Sequence, residues 1–322
     1  MAFRRVTHNG RMNATPLPQL SGTPLVTDGG METDLIFHHG VDLPHFAAFP
    51  LVETPAGRDQ LTRYYDGYAA VAAGAGAGLL LEAPTWRASP DWGALLGYDA
   101  AGLARVNAAA VEFLRGLRER YAGSLDGQDA LVAGMVGPRS DGYQPGEAMS
   151  ADEAQEYHGP QIRAFAAADA DMVSALTLTS AGEAAGIVRA ARDAGLPVAI
   201  SFTVETDGTL ADGGTLAGTI GAVDAAAAPD YFGVNCSHPE HVAPALSAPD
   251  GDDGWRDRIA GVRYNASALS HAELDESDEL DEGDPAALAA AHRKLAPLLP
   301  GLSVVGGCCG TDARHVAALW AS

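Results

Sequence analysis

"RDQLTRYYDGYAAVAAGAGAGLLLEAPT", residues Arg58–Thr85, decides the fold. In its first part apolar residues recur near every third and fourth position, the period of a helix with one buried face. Its second part, "GLLLEAPT" (Gly78–Thr85), is a short apolar run of strand length. Upstream, "PLVTDGG" (Pro24–Gly30) reads as a strand ending in a glycine turn. Strands that alternate with helices form parallel βαβ units. The alternation continues through "ALVAGMVGP" (Ala130–Pro138), "ADMVSALTLT" (Ala170–Thr179) and "PVAISFTVE" (Pro197–Glu205). It runs on through "DYFGVNCS" (Asp230–Ser237), "IAGVRYNAS" (Ile259–Ser267) and "LSVVGGCC" (Leu302–Cys309), with helical spacing again in "ALAAAHRKLAPLL". Eight such units in a chain of 322 residues predict an α/β protein of one domain, a closed (β/α)8 TIM barrel. Its expected span is residues 23–322, after a flexible N-terminal tail of residues 1–22. An open dinucleotide-binding sheet fits less well, because "DGG" is followed by "METD" and lacks the G-x-G-x-x-G spacing.

The bulk numbers set limits. Forty-two acidic residues face 20 basic ones, a formal net charge of −22, and Lys294 is the only lysine. Such a surface repels phosphate backbones and anionic membranes, so no nucleic-acid or membrane partner is expected. An acidic, lysine-poor surface suits concentrated salt, although a GC-rich coding bias leaves the same mark. No apolar stretch approaches the roughly 20 residues of a membrane helix, and "MAFRRVTHNGRMNATPLPQL" carries no apolar segment behind its arginines. A cytoplasmic location is therefore expected. The acidic run Ser270–Pro285 reads as a solvated loop or short helix. Oligomeric state leaves no sequence signal.

The three cysteines carry the chemistry. Cys236 ends the sixth strand, and Cys308 and Cys309 end the eighth, so all three converge on the barrel mouth where active sites lie. Three thiolates with one position left open make a catalytic zinc site, since structural sites fill all four positions with protein ligands. Soft sulfur also favours Zn2+ over Mg2+ or Ca2+. Neighbouring strand residues face opposite ways, so Cys308 and Cys309 share an ion only where the backbone bends, and Gly306, Gly307 and Gly310 supply that freedom. Two other readings stand beside this one: small buried apolar residues, or a vicinal redox pair. No Cys-x-x-Cys is present, and the odd count argues against a disulfide framework. A substrate thiol in the open position is deprotonated by the metal and can attack an electrophilic methyl group.

"TDGGMETDL", "VNCS" and "GGCCGT" together resemble the zinc-dependent homocysteine S-methyltransferases, from about Pro24 to Leu319. The resemblance implies a (β/α)8 barrel, a zinc ion on Cys236, Cys308 and Cys309, and Asp28 and Gly29 near the bound amino acid. It also implies a small-molecule thiol acceptor, homocysteine, and a methyl donor; S-methylmethionine or S-adenosylmethionine suits a single-domain chain. One position departs from the family pattern. A glutamate that holds the homocysteine amine is usual seven residues before the Glu-Ala pair; here Glu183-Ala184 is present and the position is Leu176, followed by Thr177. Glu82 and Glu205, at strand ends, are candidates to compensate, or else simply solvated loop carboxylates. Thr177 and Asn265 are further candidates for substrate contact, Asp141 and Tyr143 for the donor side, and Trp86 and Trp92 for a cap over the pocket. The histidines show no metal spacing and read as loop or surface residues. Leu176 keeps two alternatives open: methyl transfer to or from a different thiol or selenol, and a non-catalytic zinc-binding barrel.

Overall fold

Eight parallel strands close into a barrel in chain order. They are β1 (Leu25–Val26), β2 (Gly78–Glu82), β3 (Ala130–Val136), β4 (Met172–Leu178), β5 (Val198–Phe202), β6 (Tyr231–Ser237), β7 (Ile259–Tyr264) and β8 (Val304–Gly307). In this computed structural model the residues described are 17–142, 146, 148–247, 253–275, 277 and 279–321. Closure comes from β1 pairing with both β2 and β8, Leu25 opposite Gly78 on one side and Val304 on the other. The eight apolar runs of the sequence are all strands. Several stop short of their run, and the surplus residues, such as Asp28–Gly30 and Cys308–Cys309, form the loops at the barrel mouth.

The outer ring holds eight principal helices. These are α1 (Pro55–Ala75), α2 (Ala100–Tyr121), α3 (Ala151–Ala167), α4 (Ala181–Asp193), α5 (Leu216–Ala227), α6 (Pro239–Ser247), α7 (Pro285–Leu295) and α8 (Ala313–Trp320). Local chemistry sets their starts. Thr54 caps α1 by accepting the Gly57 N–H at 3.0 Å, with Pro55 at the first helical position. The periodic face seen in the sequence, Leu61, Tyr65, Tyr68 and Ala72, is the face α1 buries.

Two apolar layers result. The larger lies between strands and helices. The smaller fills the closed end of the barrel with inward-facing residues, among them Leu80, Met172, Tyr231 and Val304. Leu17 belongs to that plug and is buried, as is Gln19. Within the expected tail, Leu17 and Gln19 are thus packed against the barrel floor while residues 20–22 are exposed, and Pro18–Ser21 form a turn of 3-10 helix; residues 1–16 lie outside the described residues. Among the described residues no helix is long and apolar enough to cross a membrane.

Candidate metal centre and binding cavity

The mouth of the barrel holds a cavity of about 350 Å3 lined by all three cysteines. Cys236 Sγ lies 2.7 Å from Cys308 Sγ and 3.7 Å from Cys309 Sγ, and all three sulfurs fall within 4.8 Å of one another. Cys236 is buried and the other two are half-buried at the cavity wall. Among the described residues no fourth His, Cys, Asp or Glu side chain joins this group. Three soft donors so placed suit one thiophilic ion with a coordination position left for a ligand from the cavity. Hydrogen bonding with Cys236, and then with Cys309, holds the Cys308 thiol well below its ordinary range, while hydrogen bonding with Cys236 and Cys308 pushes Cys309 up.

The backbone bends that bring the sulfurs together differ from the expected ones. Gly310 does adopt a left-handed conformation, φ 76°. Gly306 is required for a different reason: a Cβ there would sit 2.5 Å from the Thr27 Cγ2 and 2.7 Å from the Asp28 carbonyl. The second bend is at Cys236 itself, a non-glycine residue with φ 55° where the β6–β7 register shifts. Such backbone costs about 1–3 kcal/mol and persists only where the surroundings enforce it. The enforcing groups are identifiable. The Cys236 carbonyl accepts from Asn265 Nδ2 at 3.0 Å and pairs with His271 Nε2 at 2.8 Å. Asn265, expected at the substrate, thus stands behind the three sulfurs and is absent from the cavity wall. His271 is buried, not a surface histidine, and so are His158 and His315.

Thr177 shows the same device on β4. Its φ is 63°, an outlier for a β-branched residue. Asn235 clamps it: the Oδ1 accepts the Thr177 N–H and the Nδ2 donates to Thr177 Oγ1, both at 2.8 Å. The same Nδ2 lies 3.9 Å from Cys308 Sγ. Asn235→Ala is expected to lose about 1–3 kcal/mol of stability, since it deletes two buried hydrogen bonds that hold a strained residue. Chemical denaturation of the two proteins measures this directly.

Beneath the sulfurs lies a buried charge cluster centred on Arg263 of β7. Its guanidinium pairs with Asp28 Oδ1 at 2.5 Å and with Glu82, and donates to the Gly307 and Gly29 carbonyls at 2.9 and 3.0 Å. Tyr64 of α1 adds a hydrogen bond to Asp28 Oδ2 at 3.1 Å. Thr27 Oγ1 donates to Glu82 at 2.7 Å. Glu82 therefore faces the barrel interior as the alternation of β2 dictates, and it is neutralised there, not presented to the cavity. Burial pushes Asp28 up to about 7 despite Arg263. Glu32, half-buried on the cavity wall, is likewise pushed up to about 7 by burial. Arg263, Asn235 and Glu32 were not singled out in the sequence, though a lone arginine in the apolar run "IAGVRY" is a legible signal. Charged residues are rarely buried unless paired.

The other candidates separate. Glu205 pairs with His271 Nδ1 at 3.1 Å and is absent from the cavity wall. Asp141 is on that wall, paired with Arg87 at 2.9 Å. Trp86 also lines the cavity, and its indole N–H donates to the Leu176 carbonyl at 3.4 Å. Trp92 is outside the wall and stacks on Arg87, ring centroid to guanidinium 3.5 Å. Leu176 is buried at the wall beside Thr177. Tyr143 lies outside the described residues. The acidic segment, expected as a solvated loop or short helix, includes the short helix His271–Asp275, and its Leu274, Leu280 and Asp281 line the cavity.

Comparison with known proteins gives one family match, two similar sequences and two similar solved structures. A family model described as homocysteine S-methyltransferase matches residues 25–322. The homocysteine S-methyltransferase of Escherichia coli (strain K12) is 29% identical over 313 residues, covering 92% of this chain and 94% of that protein. Homocysteine S-methyltransferase YbgG of Bacillus subtilis (strain 168) is 26% identical over 206 residues, covering 59% and 61%. Among solved structures, the metallated form of the homocysteine methyltransferase MmuM from Escherichia coli superposes with a TM-score of 0.69 at 24% identity, over 92% of this chain and 95% of that one. Its oxidised form gives 0.70 at 23% identity, over 92% and 94%. These two structures share the barrel.

Proposed function

The chain belongs to the homocysteine S-methyltransferase family and is a methyltransferase, and from that premise we propose that it methylates the thiol of homocysteine on a zinc ion held by Cys236, Cys308 and Cys309. The observation that carries the reading is the three-sulfur group at the cavity wall, with no fourth protein ligand among the described residues. Zinc, when bound there, supplies the Lewis acidity that keeps a ligating thiol ionised at neutral pH.

The chain's own residues do the rest. Asn265 and His271 fix the Cys236 backbone, and Asn235 holds the β4 end that forms the adjoining wall. Met135, Trp86 and Leu176 keep that wall apolar, which strengthens electrostatic interactions inside and excludes water as a competing nucleophile. Phe37 and Phe46 add aromatic rings to the lining, groups that attract a cation. That lining favours a small sulfonium donor, S-methylmethionine or S-adenosylmethionine. In the transfer, the acceptor sulfur forms its bond to the methyl carbon as the donor C–S bond breaks. The donor leaves as a neutral thioether and the acceptor's thiol proton goes to solvent. A second reading, methylation of a thiol with no amine, is favoured by Leu176 at the wall.

X-ray absorption at the metal edge tests the proposal. One zinc per chain that gains a fourth sulfur ligand on addition of homocysteine is the expected result. A zinc that ignores homocysteine but accepts another thiol would move the acceptor. A reduced, purified protein that takes up no zinc would overturn the reading.

A further inference from the structure

Homocysteine bound by its sulfur at the three cysteines would carry its ammonium group on the carbon two methylenes beyond that sulfur, and the cavity of about 350 Å3 would have to receive it. A buried ammonium requires a carboxylate with free acceptor capacity. The wall offers several carboxyl groups, and hydrogen bonding distinguishes them. Asp28 gives one oxygen to Arg263 and the other to Tyr64. Asp141 pairs with Arg87. Asp281 accepts from the Ser267 hydroxyl at 2.5 Å and the Gly283 N–H at 3.0 Å, and Glu279 is exposed.

Glu32 differs from these. Its carboxylate takes its own backbone N–H, and among the described residues no other side chain pairs with it. It stands on the loop that runs from Asp28 to Asp34, and that loop is fastened to the cysteine turn. Gly30 N–H donates to the Thr311 carbonyl at 3.0 Å, Gly310 N–H to Thr33 Oγ1 at 3.1 Å, and Gly307 N–H to the Asp28 carbonyl at 2.8 Å. The position of Glu32 relative to Cys308 is therefore set by rigid backbone contacts, the condition for a preorganised subsite. The local charge agrees: the Arg263 guanidinium pairs with Asp28 and Glu82, and among the described residues no salt bridge is made by Glu32.

We infer that Glu32 receives the ammonium group of the thiol acceptor and restricts the acceptor to amino-acid thiols. This inference rests on the reading of the acceptor as homocysteine. It is tested by calorimetric binding of homocysteine and of its deaminated analogue, mercaptobutyrate, to the zinc-loaded wild type, Glu32→Gln and Glu32→Asp. The wild type should prefer homocysteine, and Glu32→Gln should reduce that preference about 10- to 100-fold, the scale of one desolvated charge-assisted contact. Glu32→Asp, which keeps the charge, should recover part of it. A preference unchanged in Glu32→Gln overturns the assignment, as does an equal loss of both thiols at an unchanged melting temperature. A wild type that binds both thiols equally also overturns it, while leaving thiol binding intact. A wild type that binds neither overturns the acceptor reading and this inference with it.

Discussion

Cys308→Ser should abolish metal retention and methyl transfer while leaving the barrel folded. The substitution exchanges sulfur for oxygen in a side chain of nearly the same shape, at a half-buried position just beyond β8. The backbone contacts of the turn do not involve the sulfur: Cys308 N–H donates to the Tyr264 carbonyl at 2.7 Å, and the Cys308 carbonyl accepts from Thr311. What is lost is a thiol that its hydrogen bonds with Cys236 and Cys309 hold well below its ordinary range, and a serine hydroxyl does not ionise at neutral pH. Removing a residue that merely supports a metal ligand costs about 10- to 100-fold in affinity or activity; removing a ligand from a three-ligand site should exceed that. Metal analysis after gel filtration, with methyl transfer measured on the same sample, reads both effects. A Cys308→Ser protein that retains stoichiometric zinc and wild-type turnover would show that the ion, if any, sits elsewhere.

Arg263→Met should destabilise the fold by about 3–5 kcal/mol, the cost of breaking a buried ion pair from one side. Methionine fills the volume of the arginine stem, so the loss isolates the charge. Asp28 and Glu82 would face each other across the barrel interior with no cation between them. The pH dependence distinguishes this cause from poor packing. Asp28 already titrates at about 7, raised by burial, and loss of Arg263 removes an interaction that lowers it. A carboxyl group whose pKa is raised on folding favours the folded state at low pH and loses that contribution as pH rises through the folded value. The deficit of Arg263→Met should therefore be largest near about pH 8 and shrink towards about pH 5, where the folded variant takes up protons. Urea titrations at the two pH values give the answer. A deficit independent of pH would assign the effect to packing alone.

The barrel and the thiol centre were legible in the sequence for one reason. A parallel (β/α)8 fold repeats a local pattern, and the end of each apolar run falls at the same face. Cys236 and Cys308–Cys309 could thus be placed together from strand counting, although 72 residues separate Cys236 from Cys308. The means of bending was less legible. Glycines beside the cysteine pair pointed to flexibility at Gly306, Gly307 and Gly310, whereas the chain places the left-handed conformations at Gly310, Cys236 and Thr177. Those at Cys236 and Thr177 are imposed by Asn265, just beyond β7, and Asn235 on β6, which no local pattern announces.

The sequence by itself determined the α/β class, the strand order and the convergence of three sulfurs, because each depends on periodicity and on position along a strand. Only the tertiary structure decided which carboxyl groups remain free to bind anything. Glu82 was a reasonable substrate contact in the sequence, but it meets Arg263 from 181 residues away, through the barrel interior. Glu32, unremarked in "DGGMETD", has no such ion pair among the described residues. A buried charge binds whichever opposite charge the fold brings within a few ångströms, and that proximity belongs to the closed barrel, not to any stretch of its chain.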